Sequence, residues 1–160
     1  MNPIFKKLNF KDQSPIYIVH APASFTKDMD EMRYNTNVKT SLAGAKQLSF
    51  FLAFVTKQQE VDEITKKVIP LIEGDGIVWF AYPKGTSKKY TCEFNRDTGW
   101  AALGKLGYEG VRMVAIDEDW SALRFRKAEN IKTMIRSFAM SNTGKKKVAA
   151  TKKTARKEKK

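Results

Sequence analysis

Two turns in this chain concentrate the side chains that could do chemistry. The first, Tyr82-Pro83-Lys84-Gly85-Thr86-Ser87-Lys88-Lys89, ends the apolar run 77–81 in a cluster of ammonium groups and hydroxyls. Lysines and hydroxyl donors around a glycine, which lets backbone approach closely, suit an anion. The second, Asp117-Glu118-Asp119-Trp120-Ser121, places three carboxylates before a segment in which Arg124 and Arg126 alternate with Phe125. Alternation points both guanidiniums to one face of a strand, where they can hold a carboxylate or phosphate bidentately. Paired instead with an acid such as Asp97, they would be ordinary ion pairs. Trp79 and Trp100 fall at core spacings, whereas Trp120 stands in a polar turn and is the aromatic to test for stacking on a ligand.

Familiar catalytic signatures are absent. No Gly-x-x-x-x-Gly-Lys-Ser/Thr phosphate loop exists, because Lys84 precedes Gly85 and no second glycine is correctly spaced. Gly74-Asp75-Gly76 precedes an apolar run rather than following one, so it is no dinucleotide fingerprint. Asp117, Glu118 and Asp119 diverge on a turn and read better as an acidic hairpin loop than as metal ligands. His20 is the single histidine, which excludes a histidine-rich metal site, and as a base it would need an orienting acid that sequence does not place. It reads as structural. Cys92 reads as a partly buried, strand-like cysteine rather than a nucleophile. Neither a metal nor a cofactor is expected.

The chain has 160 residues, 42% of them hydrophobic and 29% charged, which suits one soluble domain with a single core. A lone cysteine gives no internal disulfide, no secretory signal is visible, and the apolar run 48–55 is far short of the roughly 20 residues a membrane helix needs. A cytoplasmic protein without membrane contact is the expectation. The net charge of +13 is uneven: residues 145–160 hold nine Lys or Arg against one acid, or +8. Such a segment cannot bury enough surface to offset its ordering entropy and repels itself. The expected organisation is therefore an α/β domain over residues 1–140 and a disordered Lys-rich tail over 141–160.

Helical and strand periods alternate through the domain. Residues 16–19 read as a short strand ending at His20-Ala21-Pro22. Ser24 reads as an N-cap, with Phe25, Met29 and Met32 on one helix face. Val38, Thr40 and Leu42 alternate as a half-buried strand, and residues 48–55 read as a central strand buried on both faces. Thr56 with Gln59 matches a capping box for a helix over 57–73, kinked or ended near Ile69 by Pro70. Gly74-Asp75-Gly76 then reads as a turn before a strand at 77–82. Asn95 is placed to cap a helix carrying Trp100, Leu103 and Leu106, with Gly107 as its left-handed terminator. Strands at 111–116 and 122–126 enclose a loop short enough for an antiparallel hairpin, and Ile131, Met134, Ile135 and Phe138 mark a closing helix.

This order predicts a single three-layer α/β sandwich with a mainly parallel, Rossmann-like sheet and an antiparallel C-terminal hairpin strand. In such a sheet the ligand lies beyond the carboxyl ends of the parallel strands. That rule nominates residues 20–24, 56–57, 82–89 and 117–121.

The segments WFAYPKGTSK, NRDTGW and LGYEGVRMVAIDEDWSALRFR together resemble a bacterial family of small α/β proteins classed as a domain of unknown function. The resemblance covers residues 77–126 well and the first 75 loosely. It implies an α/β family core with no established activity, and motif positions at Tyr82, Pro83, Lys84, Ser87, Arg96, Asp97, Trp100, Asp117, Trp120, Ser121, Arg124 and Arg126. The tail lies outside that pattern. Its composition is similar to linker-histone and bacterial histone-like tails.

Three readings follow. In the first, the domain is a non-catalytic module binding a small anionic ligand or a protein partner at the strand-end surface of Tyr82, Lys84, Ser87, Arg96, Asp97, Asp117, Trp120, Ser121, Arg124 and Arg126. In the second, Lys145, Lys146, Lys147, Lys152, Lys153, Arg156 and Lys157 contact nucleic-acid phosphates without choosing a sequence. The tail as a mere solubilising appendage is its plain counterpart. In the third, the chain is an enzyme of unrecognised class with Asp97, Asp117 or His20 transferring protons.

Overall fold

The computed structural model describes residues 2–131. The expected helix beyond Ile131 and the Lys-rich tail lie outside the described residues.

The sheet is built from the expected periods. β1 (Ile16–Val19), β2 (Val38–Lys39), β3 (Leu48–Phe54), β4 (Ile72–Pro83), β5 (Tyr108–Ala115) and β6 (Trp120–Lys127) form one six-stranded sheet in the order β2-β1-β3-β4-β6-β5. The first four run parallel, and β6 pairs antiparallel with both β4 and β5. The chain is thus an α/β protein with a mainly parallel, Rossmann-like sheet closed by an antiparallel hairpin strand.

Strand alternation sorts the core into two layers. One face presents Val19, Phe51, Ala53, Val78, Phe80 and Phe125 to Val61, Ile64 and Val68 of α3 (Gln58–Val68) and to Trp100 and Leu103 at α4 (Ala101–Lys105). The other presents Ile18, Phe50, Leu52, Phe54, Trp79 and Ala81 to Phe5 of α1 (Pro3–Lys7) and to Met29 and Met32 of α2 (Thr26–Met32). Helices cover both faces, as three layers require.

Several boundaries differ from the sequence reading, each for a local reason. α1 was not expected, although its signal is present: Asn2 accepts from the backbone N–H groups of Ile4 and Phe5, and proline follows at the first helical position. β2 is two residues long and does not reach Leu42. The segment 74–76 is not a turn but part of β4, which begins at Ile72. Between the register pairs Leu48↔Ile72 and Phe50↔Ile77 the extra residues bulge out of the ladder, and Gly74 takes the left-handed φ of 54° that such a bulge needs.

Helix boundaries shift as well. α3 ends at Val68, where Pro70 converts the chain to a single 3-10 turn, as the proline predicts. Its N-cap is Lys57, and Glu60 rather than Gln59 reaches back to the preceding backbone. Ser24 falls inside a 3-10 turn before α2 instead of capping it. Asn95 caps no helix, since α4 begins only at Ala101; it closes its own turn by accepting from the N–H groups of Asp97 and Thr98. Gly107 follows α4 with a φ of 83°, the expected terminator.

Among the described residues Tyr108 is 1% exposed and its hydroxyl has no hydrogen-bond partner. Burial pushes its phenol up to about 12, with Asp75 and Glu129 adding in the same direction. Because the folded value lies above the unfolded one near 10, the unfolded chain loses its proton first as pH rises. Stability is therefore complete below about pH 10 and falls by roughly 2–3 kcal/mol by pH 12. Tyr108→Phe should leave urea stability at neutral pH unchanged or higher and remove this part of the alkaline loss. Destabilisation of more than about 1 kcal/mol at neutral pH would show that the hydroxyl has a partner after all.

Candidate functional site

At the carboxyl edge of the sheet, β4 delivers Tyr82 and Pro83, and antiparallel β6 starts beside them, with Tyr82 opposite Ser121 and Pro83 opposite Trp120. The two turns are stitched together there. The backbone N–H of Lys84 donates to the Asp119 carbonyl at 2.8 Å, and Ser87 Oγ donates to Asp119 Oδ1 at 2.8 Å. Ser87 Oγ also accepts from the N–H groups of Lys89 and Tyr90. Its hydroxyl is spent on holding the loop, and the expectation that it binds a ligand directly loses its free donor. Asp117 Oδ1 accepts from the N–H groups of Asp119 and Trp120, which is the plain hairpin-loop role.

Beside these turns lies an open cleft of about 470 Å³. Its lining includes Tyr82, Lys84, Gly85, Thr86, Arg96, Asp97, Met113 and Ser121. Tyr82 and Ser121 are buried, and the Tyr82 hydroxyl donates to Met113 Sδ at 3.2 Å. Burial pushes the Tyr82 phenol above its ordinary value; Arg96 pulls it back and Asp97 pushes it further up. At neutral pH it is a proton-bearing donor. Arg96 Nε sits 3.4 Å from Asp97 Oδ1, both side chains well exposed, so this pair adds little stability and its members remain available to a ligand.

Five of the ten nominated ligand residues, Tyr82, Lys84, Arg96, Asp97 and Ser121, therefore converge. The other five do not line the cleft. Trp120 is only 3% exposed and packs its ring 5.1 Å from Phe54 and 5.0 Å from Tyr90, measured between centroids. It is a core residue on the opposite face, not a stacking platform. Arg124 and Arg126 share a sheet face as predicted, yet β6 runs away from the carboxyl edge. Arg126, five residues beyond Ser121 or roughly 17 Å along the strand, binds both carboxylate oxygens of Asp75 near the amino end of β4. Its partner is Asp75, and the acid suggested from sequence, Asp97, instead lies beside Arg96. Arg124 lies opposite Trp79 in mid-sheet with its Nε buried and unpartnered among the described residues. Burial lowers its basicity, as do the like charges of Arg126 and Arg112, while Asp75 opposes them. The nominated tail lysines and Arg156 lie outside the described residues.

A second group of polar residues stands at the point where the strand order reverses. β1 neighbours β2 on one side and β3 on the other, so the chain switches direction across the carboxyl ends of β1 and β3. His20 follows β1 immediately, in a left-handed conformation with φ 59° that costs a non-glycine residue about 1–2 kcal/mol. Its side chain is 55% exposed, and its Nδ1 lies 3.5 Å from Glu60 Oε2. The other oxygen of Glu60 accepts from the N–H groups of Thr56 and Lys57 at 3.0 and 3.1 Å and from Thr56 Oγ1 at 3.3 Å. His20 is therefore no core histidine. The strand-end rule had reached His20, but Glu60 comes 40 residues later and its approach has no sequence signature.

Cys92 lies in a loop rather than a strand, next to the Glu93 N–H that donates to the Thr56 carbonyl at 3.1 Å. Burial pushes its thiol up, and the carboxylates of Glu93 and Glu60 push the same way against one hydrogen bond from Phe94. The thiol stays protonated at neutral pH, as an inert cysteine does. Among the described residues no group of three His, Cys, Asp or Glu side chains could hold a metal, and no helix is long and apolar enough to cross a membrane.

No family model matches this chain, and no curated protein matches it. Solved structures of similar outline include a candidate type 11 methyltransferase from Sulfolobus solfataricus, at 11% identity and a TM-score of 0.45 over 79% of this chain and 78% of that one. Others are a protein of the NADB-Rossmann superfamily from Streptococcus agalactiae, at 8% and 0.45 over 79% and 68%, and a candidate tRNA methyltransferase from Streptococcus pneumoniae, at 9% and 0.44 over 79% and 70%. The class of fold rests on this chain's own strand order and directions.

The loop that walls the cleft is held by Gly99, which has a φ of 92° and whose absent Cβ would lie 2.6 Å from Phe94 Cβ and 3.0 Å from Gln58 Oε1. Gly99→Ala should cost about 2–3 kcal/mol in urea denaturation. Gly85→Ala, with nothing within 4 Å of the added carbon, should stay within about 0.5 kcal/mol of the parent. Equal stabilities would show that the loop is not anchored at Gly99.

Proposed function

We propose that this chain is a Rossmann-like enzyme of a class its sequence does not spell, acting on a small anionic substrate at the carboxyl edge of its sheet. The observation that carries the substrate half is the convergence of Lys84 and Arg96 with the buried residues Tyr82 and Ser121 in the lining of one open cleft. Two cations beside the Ser121 hydroxyl match a phosphate or carboxylate, and Arg96 supplies the planar fork that such groups accept. The catalytic half is supported by the His20–Glu60 pair at the switch point, on the same side of the sheet, since Glu60 belongs to α3 and Tyr82 packs in the α3 layer.

A binding module at the same cleft is the second reading. The specific observation favouring it is that neither the Tyr82 phenol nor the Cys92 thiol is activated, both being pushed up by burial. Under either reading the anion site is the same.

Inorganic phosphate is the first probe, titrated into nitrogen-15-labelled full-length protein and followed through backbone amide shifts. Saturable shifts are expected at Lys84, Gly85, Arg96 and Ser121. Arg96→Ala should weaken the apparent affinity about tenfold or more, as loss of a charge-assisted hydrogen bond of roughly 1.5–3 kcal/mol requires. Shifts spread evenly over the lysine-bearing surface, and unchanged in Arg96→Ala, would remove the site.

A further inference from the structure

We infer that His20 and Glu60 form a proton-transfer dyad in which Glu60 fixes the imidazole through Nδ1 and the opposite nitrogen, Nε2, is the working base. The inference rests on the enzyme reading above and deepens its catalytic half, on residues separate from those of the anion cleft. Glu60 is unusual in that one carboxylate oxygen is fully occupied by the backbone and hydroxyl of the residues leading into α3. Rotation of the carboxylate is thereby stopped, and Oε2 is left facing His20 at 3.5 Å. A carboxylate without a proton accepts only. The neutral ring placed against it carries its hydrogen on Nδ1, and the lone pair is left on Nε2.

The backbone contributes the other half of the arrangement. The left-handed conformation of His20 turns the chain just after β1, and the side chain leaves the alternation that would set it beside Ile16 and Ile18 on the buried opposite face. Strain of this kind at a strand end is maintained when the surrounding structure fixes it and the side chain has a use there. The side chain remains more than half exposed, in the place where sheets of this order receive their ligands.

The reaction step is a proton transfer with simple balance. A substrate O–H, N–H or acidic C–H bond breaks, its electron pair stays on the substrate atom, and a new N–H bond forms at Nε2. The ring becomes an imidazolium whose Nδ1–H faces the Glu60 carboxylate, and the Nε2 proton returns to the product at the end of the cycle. His20 would be the catalytic residue and Glu60 the positioning residue.

Because His20 is the only histidine, its ring can be read without assignment ambiguity. Long-range nitrogen–proton correlation spectra of full-length protein at about pH 9, where a histidine is neutral, report which nitrogen carries the hydrogen. The expected result is the Nδ1–H tautomer. Glu60→Gln keeps the backbone cap, because glutamine serves that position as well, but turns an amide donor toward Nδ1. The ring should then switch to the Nε2–H tautomer, and carbethoxylation of His20 by diethyl pyrocarbonate, followed by mass, should become several-fold slower. A ring in the Nε2–H form in the parent, or tautomer and rate both unchanged in Glu60→Gln, would overturn the dyad. Circular dichroism and urea melts confirm that the variant is folded, and Glu60→Ala, which removes acceptor and donor together, serves as the second variant, with loss of the Nδ1–H preference expected. Phosphate titration of the cleft amides is read separately, so failure of the anion site and failure of the dyad remain distinct.

Discussion

The fold depends on the parallel contact between β3 and β4. Phe50 to Phe54 and Ile77 to Ala81 are buried on both faces of the sheet, with no polar side chain among them. A strand pair that is apolar on both sides has to be covered twice, and the covering helices then consume both faces of the sheet. What stays open is the edge where strands end. Among the described residues, the polar candidates lie where that constraint puts them, either at the carboxyl edge or in the strands beyond the doubly covered pair. The functional reading is thus a consequence of hydrophobic burial before it is a matter of any particular side chain.

The single reversal of direction in the sheet decides which residues meet. Because β6 enters antiparallel, its first residues join the carboxyl ends of β4, and its last residues leave toward the opposite edge. Ser121 is gathered into the cleft for that reason, and Arg126 is carried off to Asp75. The basic and acidic turns end up side by side, and much of their charge is used to hold each other. Ser87 and Asp119 are the clearest case, since a hydroxyl expected to meet a ligand is the one tying two loops together.

Much of this architecture was legible in the chain, because it follows from periodicity. The doubly buried run 48–55, the helix interrupted by Pro70, the short acidic hairpin loop and the strand-end position of Tyr82 and Lys84 all depend on neighbours within a few residues. Contacts made at long range were not legible. Trp120 looked exposed because its sequence neighbours are polar, yet its ring is covered by Phe54 and Tyr90, distant in sequence. The Gly74-Asp75-Gly76 turn failed because two glycines permit a bulge within a strand as readily as a reversal, and only the pairing with β3 chooses between them. His20 was read as structural for want of an acid, and Glu60 drew no reading at all. Nothing in either segment announces the other.

The two outer strands also bear on how this sheet meets other molecules. β2 offers only Val38 and Lys39, and β5 breaks its ladder between Gly110 and Arg112, where one strand carries an extra residue. A short border and a kinked, charged one are poor templates for a seventh strand. Growth of the sheet by edge pairing is discouraged at both ends. An assembly of this chain, with itself or another protein, would have to be made through helix faces and loops, leaving the hydrogen-bonded ladder closed to newcomers.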